Sequence, residues 1–483
     1  ISNQVLPFGI KEGNIQVAIA DPTRLSVSSE IRTITDKNID IFVTKLSELD
    51  NGLENLEKEK TNLKTNETID NITNAASKEE EKKVIKSEEI ETTSEVIKFV
   101  DEVLGKSVKD AASDIHLEHY RDGPRLRYRV DGVMIKDKTR EKFLINNYPA
   151  VVTRLKIMAE TNISERRLPQ DGAIQFKYKG NECDFRVSFL PTKYGERVVL
   201  RLLKKEAIQL ALDKLGFQKE DLEIIKTSVK APQGLILVTG PTGSGKTTTL
   251  YSCLNHINDE KINILTAEDP VEYELSGVSQ VQVREDIGLT FASTLRSFLR
   301  QDPEVILVGE IRDKETADIA IKAALTGHLV LSTLHTNDSI STITRLINMG
   351  IPNYLIASAL TLVIAQRLAR TNCPTCKKNE NVGPKVLNDV GFTQEQATRV
   401  RLFKSKGCKK CENRGYKGRQ GIYEVLKITP KLQESILLDS KITELTQVAK
   451  KEGFTSMQEM GRSLLLSGAI SVEEYQRILQ SEV

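Results

Sequence analysis

The stretch from Gly234 to Leu250 constrains this chain more than any other. Leu235–Thr239 is apolar or β-branched throughout and reads as a buried strand. Gly240-Pro241-Thr242-Gly243-Ser244-Gly245-Lys246-Thr247 then fits G-x-x-x-x-G-K-[ST], and a helical pattern runs on through Thr248 to Leu250. Strand, loop and helix in that order are the context in which such a loop cradles phosphate. Gly243 and Gly245 leave successive backbone N–H groups free to turn inward, and the helix adds its positive N-terminal end. Lys246 reaches the β- and γ-phosphates and the Thr247 hydroxyl is the Mg²⁺ ligand. The stretch Gly240–Thr248 is therefore expected to bind a nucleotide triphosphate.

Composition narrows the setting. A length of 483 residues allows two to four domains, and 28% charged with 39% hydrophobic residues fits a globular chain. The net charge of +2 gives no global field toward nucleic acid or anionic lipid. The longest apolar run, Tyr354–Ala365, is interrupted by Ser358 and Thr361, falls short of the ~18 residues that span a bilayer, and reads as a buried helix. The chain opens on Ile1 without a signal peptide, which suggests a fragment of a longer protein.

Residues 1–50 hold two candidate strands, 15–20 and 39–43, too little for a core of their own. Residues 51–95 are free of aromatics and carry a Glu79–Lys83 charge run, the composition of a linker. A helix face at Val96, Val100 and Leu104 follows, then Ser113–Glu118. Leu126, Tyr128 and Val130 alternate with Arg125, Arg127 and Arg129 up to the turn Asp131-Gly132. A helix is expected to begin at Pro149, then a hairpin over 173–178 and 182–190 and a last strand over 197–203. The arginine stripe lacks interleaved aromatics and reads as a solvated strand face or a protein contact rather than a nucleic-acid platform. After a connector at 205–228, strands at 235–239, 262–267, 278–283, 305–308 and 329–333 alternate with helices, the pattern of a doubly wound α/β sheet.

Carboxyl ends of such strands converge on the ligand. Glu268 ends one of them and Glu310 follows another, and either can orient water or a water-bound metal. Glu310 is the preferred base. Gly309 stands where a metal-linked Asp is usual, so Mg²⁺ would rest mainly on Thr247 and phosphate. His328 and His335 flank one strand and suit a nucleotide-sensing pair, with a structural role as the alternative. Cys373-x-x-Cys376 and Cys408-x-x-Cys411 form two knuckles that suit one closed Zn²⁺ site in a reducing compartment. Cys183 and Cys253 read as core residues.

Taken together these stretches resemble the secretion-type ATPases that drive type IV pilus assembly and type II secretion. The resemblance is carried by Ser113–Glu118, Leu168–Gly172, Gly195–Val199, the loop at 240–247, Thr266–Glu272, Leu299–Pro303, Gly309–Asp313 and Thr326–Asp338. It implies an α/β fold with a RecA-like P-loop NTPase domain at 229–371. Before it come a partial N-terminal domain (1–50), a flexible linker (51–95), a smaller α+β, PAS-like domain (96–204) and a connector (205–228). A zinc-binding tetracysteine subdomain (372–419) and C-terminal helices (420–483) follow. It also implies that Arg186 and Arg201 reach the phosphates of ATP, and that a homo-hexamer works in the cytoplasm against the inner face of the membrane. The partners expected are a membrane platform protein and an adaptor on the N-terminal domain, with no nucleic acid. The four cysteines favour the assembly and secretion branch over retraction motors. A nucleotide-gated scaffold or nucleic-acid transporter is the competing reading, disfavoured by the near-neutral charge and the missing aromatic platform.

Overall fold

The computed structural model describes residues 5–11, 14–19, 39–45, 49, 94–203, 211–397 and 400–479. The expected linker lies outside the described residues except for 94–95, as do residue 204 and 205–210 of the connector. Residues 1–88 and 89–483 form two compact units. In the first, β1 (Val5–Lys11) pairs antiparallel with β2 (Asn14–Ile19), and β2 pairs parallel with β3 (Ile39–Val43).

The second unit opens with α1 (Ser94–Lys109), which buries Val96, Val100, Val103 and Leu104 along one face. Six antiparallel strands follow, β4 (Asp114–Tyr120), β5 (Gly123–Val130), β6 (Val133–Lys136), β7 (Gln170–Tyr178), β8 (Asn181–Thr192) and β9 (Gly195–Leu203), in the order β6-β5-β4-β9-β8-β7. One face is closed by α1 and α2 (Lys138–Met158) over a core that includes Leu126, Tyr128, Phe185, Val198 and Leu200. The period-two alternation that points these residues inward sends Arg129, Arg186 and Arg201 to the opposite face. The helix expected from Pro149 instead starts at Lys138, capped by the Asp137 side chain on the Arg140 N–H at 3.2 Å. Pro149 sits inside it. The carbonyl its ring leaves unbonded, four residues back, belongs to the exposed Ile145.

Helix α3 (Lys219–Ser228) leads into the larger sheet. Its strands are β10 (Gly234–Thr239), β11 (Ile264–Glu268), β12 (Val278–Gln282), β13 (Val305–Val308), β14 (Leu329–Leu334), β15 (Leu360–Asn372) and, past the short antiparallel pair β16 (Lys377–Glu380) and β17 (Leu402–Ser405), β18 (Tyr416–Lys427). The order is β12-β11-β13-β14-β10-β15-β18, parallel except for the antiparallel edge pair β15–β18. Leu235 and Leu237 join one apolar layer and Ile236 and Val238 the other, so the central strand is buried on both faces. The helices α4 (Lys246–Ile257), α5 (Phe291–Phe298), α6 (Lys314–Leu325), α7 (Ser339–Asn348) and α8 (Asn353–Ala359) complete this part.

The apolar run expected as one helix over Tyr354–Ala365 is split. It is helical only to Ala359, and β15 begins at Leu360. A short apolar run suits either state, and pairing with β10 on one side and β18 on the other decides for strand. The cysteine knuckles leave the far ends of β15 and β18, and four further helices, Pro430–Leu437, Ile442–Lys451, Met457–Leu466 and Val472–Leu479, close the unit. Among the described residues no helix is long and apolar enough to cross a membrane.

Candidate active site

The loop between β10 and α4 turns through three glycines with positive φ: Gly240 at 141°, Gly243 at 79° and Gly245 at 92°. A Cβ on Gly240 would stand 2.3 Å from the Gln366 carbonyl oxygen, so only glycine lets the loop leave the strand against β15. Lys246 Nζ folds back on the Gly240 and Pro241 carbonyls at 2.9 and 3.3 Å, acceptors that an incoming phosphate can replace. Burial pulls its pKa below the ordinary lysine value, and the Glu310 carboxylate pulls it up. Ser244 is buried, and its Oγ has no hydrogen-bond partner.

The loop floors a cleft of about 910 Å³ whose walls come from both sheets of the second unit. Glu310 and His335 stand on the side of the larger sheet, at the carboxyl ends of β13 and β14. Glu310 Oε2 lies 3.4 Å from His335 Nε2, and its other oxygen accepts from Arg312. Glu268 also lines the cleft, but its oxygens are engaged. The Tyr251 hydroxyl donates to one, while Thr266 Oγ1 at 2.6 Å and Gln280 Nε2 at 3.0 Å donate to the other. Burial and that carboxylate both push the Tyr251 phenol up, so it stays a donor. The Glu310 side chain is 19% exposed, whereas Glu268 is buried.

The smaller sheet contributes a row of side chains fixed by strand register. Arg129 on β5 is opposite Asp114 on β4, Asp114 is opposite Arg201 on β9, and Arg201 is opposite Arg186 on β8. Directly opposed residues share a face, so the four project together. Asp114 takes Arg201 Nε at 3.0 Å and Arg129 Nε at 3.3 Å, which leaves the exposed end of Arg201 directed at the cleft. Arg186 crosses to the larger sheet, where it pairs with Glu272 at 3.3 Å and donates to the Val271 carbonyl. Asp131, in the β5–β6 turn, approaches Arg419 at 3.8 Å and Arg414 at 4.0 Å. The arginine stripe of the sequence thus faces carboxylates: Arg125 pairs with Asp122 and Arg127 with Glu118.

His328 is not brought to this cleft. It precedes β14 while His335 follows it, so a six-residue strand separates them by about 20 Å. His328 Nδ1 rests 3.0 Å from the Ala323 carbonyl. Sequence reasoning missed Asp114 and Arg129 as cleft residues, because their places depend on pairing between strands distant in sequence.

At the other end of β15 the four cysteine sulfurs lie within 4.8 Å of one another. Cys373–Cys408, Cys376–Cys411 and Cys408–Cys411 are 3.9, 3.8 and 3.7 Å apart. A tetrahedron of thiolates at Zn–S of about 2.3 Å has edges of about 3.8 Å, whereas a disulfide needs about 2.05 Å. The donor set fits zinc with no open position. Cys253 is fully buried and Cys183 half-buried.

A Walker-type loop on a mostly parallel, doubly wound sheet, with a carboxylate at the end of β13, one strand removed from β10, defines a P-loop nucleotide triphosphatase. The sequence pattern of the family described as Type II/IV secretion system protein matches residues 89–477, and that of the MshEN domain matches residues 2–63. The type IV pilus assembly ATPase PilB of Myxococcus xanthus (strain DK1622) is 44% identical over 475 residues, 97% of this chain and 83% of that protein. Type II secretion system protein E of Pseudomonas aeruginosa is 45% identical over 396 residues, 82% of this chain and 77% of that one. Among solved structures, the pilus retraction motor PilT with bound ADP aligns at a TM-score of 0.54 and 27% identity, over 79% of this chain and 97% of PilT. The chain belongs to the type II/IV secretion system protein family and is an ATPase.

Proposed function

We propose that this ATPase draws its two sheets together by binding ATP between them and releases them on hydrolysis, driving type IV pilus assembly or type II secretion. The observation that carries the reading is the shared cleft. Lys246, Thr247 and Glu310 line it from one side, and Arg201 and Asp114 from the other. The loop N–H groups of Gly243, Gly245 and Lys246 receive the β-phosphate, and Lys246 exchanges its two loop carbonyls for phosphate oxygens. Thr247 would hold Mg²⁺, which neutralises phosphate charge and polarises the γ-phosphoryl group when bound. Glu310, held between Arg312 and His335, accepts the proton of the attacking water. Arg201 meets the charge that develops on the phosphates, as Arg186 does after release from Glu272. A planar guanidinium suits both contacts. His335 senses the γ-phosphate through Glu310, and His328 serves β14 from its opposite end.

Because Arg201 and Arg186 stand on the smaller sheet, loss of the γ-phosphate weakens the pull between the sheets. That converts chemistry into domain motion. The working form is a homo-hexamer at the cytoplasmic face of the inner membrane, engaging a membrane platform protein, with the N-terminal unit open to an adaptor. The partition into 1–50, 51–95, 96–204, 205–228, 229–371, 372–419 and 420–483 belongs to the same reading, with zinc fixing the fold of 372–419. Native mass spectrometry of the purified chain with and without a non-hydrolysable ATP analogue, beside phosphate release by Lys246→Ala, tests it. Six-fold assemblies and loss of turnover are expected. A monomer at all protein and nucleotide concentrations would remove the hexamer, and full turnover by Lys246→Ala would remove the site.

A further inference from the structure

Beneath the nucleotide loop sits a polar residue that no part of the proposed chemistry uses. Gln366 lies on β15, is 2% exposed, and has both ends of its amide engaged. Its Nε2 donates to the Ser244 carbonyl at 2.9 Å, and its Oε1 accepts from Thr249 Oγ1 at 2.7 Å. Ser244 belongs to the loop, and Thr249 to the first turns of α4. The same residue's backbone carbonyl is the atom that a Cβ at Gly240 would strike, and its Nε2 would lie 3.3 Å from a Cβ at Gly245. One residue of a neighbouring strand thus touches the beginning, middle and end of the loop.

A phosphate-binding nest needs its N–H groups turned inward, and this turns intervening carbonyls outward. An outward carbonyl that is buried must find a donor, or the loop relaxes toward conformations in which that carbonyl is solvated. Ser244 N–H donates to the Pro241 carbonyl at 3.2 Å, closing the loop on itself, and Ser244 C=O faces β15, where the Gln366 amide is the donor given to it. Only a side chain with one donor and one acceptor at this length serves Ser244 and Thr249 together.

We propose that Gln366 is a positioning residue for ATP binding: its amide staples the loop at Ser244 to helix α4 at Thr249 and holds the nest in its phosphate-receiving shape before nucleotide arrives. The proposal rests on the reading that Gly240–Thr247 holds the nucleotide phosphates. Preorganisation of this kind acts on affinity for any nucleotide with α- and β-phosphates, and leaves the chemical step to Glu310.

The test uses the full chain, a fluorescent ATP analogue and a fluorescent ADP analogue, with Lys246→Ala as a control on the loop itself. Gln366→Glu keeps the acceptor for Thr249 and loses the donor to Ser244. Its dissociation constants for both nucleotides should rise about tenfold, with kcat at saturating ATP within about threefold of the parent. Affinity should recover as pH falls from about 8 to about 6, since a reprotonated carboxyl can again donate to Ser244, a signature that simple loss of packing does not give. Gln366→Asn, one methylene short of both partners, should show the same rise without the pH dependence. Should either variant fail to fold, Thr249→Val removes one contact from outside the loop and is expected to raise the constants about threefold. Unchanged dissociation constants in these variants, with or without a lower melting temperature, would overturn the proposal, as would a collapse of kcat at unchanged affinity. Normal nucleotide affinity in Lys246→Ala would instead remove the loop reading beneath it.

Discussion

Of the carboxylates that line the cleft, Glu310 and Glu268 have surroundings that predict opposite outcomes for the same substitution. Glu310→Gln removes the group assigned to accept the proton of water. General-base catalysis contributes about 10²–10⁴-fold, or roughly 3–5.5 kcal/mol of barrier, so kcat should fall by at least about a hundredfold. ATP binding should not weaken. Glu310 adds negative charge beside Lys246 and the phosphate site, and in an open cleft that repulsion is on the order of 1 kcal/mol. Affinity should therefore improve several-fold. Stability should hardly change, because the partners lost are an exposed His335 and a half-exposed Arg312, where pairs contribute about 0–1 kcal/mol. In Glu268→Gln the new NH₂ group, in a buried pocket, must face either the Tyr251 hydroxyl or the Thr266 and Gln280 donors. One mismatched buried donor costs about 1–3 kcal/mol, so the expected loss is thermal stability first and activity as its consequence. Steady-state phosphate release, titration with a fluorescent ATP analogue and thermal melts on both variants separate the cases. Turnover by Glu310→Gln within about tenfold of the parent would refute the assignment, and abolished turnover with an unchanged melt in Glu268→Gln would move the base there.

Metal analysis should find one zinc per chain, and Cys376→Ser should lower both zinc content and melting temperature. Four thiols that react readily in the native protein without a chelator would show the cluster to be empty of metal. Arg201→Ala should lower kcat/KM at least tenfold and Arg201→Lys should fail to rescue it, while Asp114→Asn should give an intermediate loss by freeing both Arg129 and Arg201. Equal activities across the three would remove the row from the site. Asp131→Arg reverses the contacts to Arg414 and Arg419, so spin labels on the two sheets should report a larger mean separation without nucleotide, and an unchanged distance distribution would refute this link. Burial lowers the pKa of His116 below its usual 6.5, so the unfolded chain binds the extra proton first as pH drops. The stability this contributes is complete above about pH 6.5 and fades below it. The urea midpoint should therefore fall less steeply between about pH 6.5 and 5 in His116→Gln than in the parent.

What the sequence determined by itself is local and chemically stereotyped. Gly240, Gly243, Gly245, Lys246 and Thr247 specify a phosphate loop because their spacing follows from the covalent geometry of one turn. The β-branched runs of the larger sheet identified its strands because both faces are buried. The paired cysteine knuckles declared their cluster because each knuckle is a short-range unit. The separation of His328 from His335 was legible too, since a six-residue strand lies between them. Only the tertiary structure decided the rest. Tyr354–Ala365 is ambiguous in isolation, and the edges offered by β10 and β18 divide it at Leu360. That division places Gln366 under the loop. Arg129, Asp114, Arg201 and Arg186 form one row through register across four strands, and the pairing of β4 with β9 that completes it joins segments far apart in the chain. Glu268 and Glu310 look alike as strand-end glutamates, and what separates them is the set of donors each meets. Donor sets and registers are products of long-range packing, which no window of sequence contains.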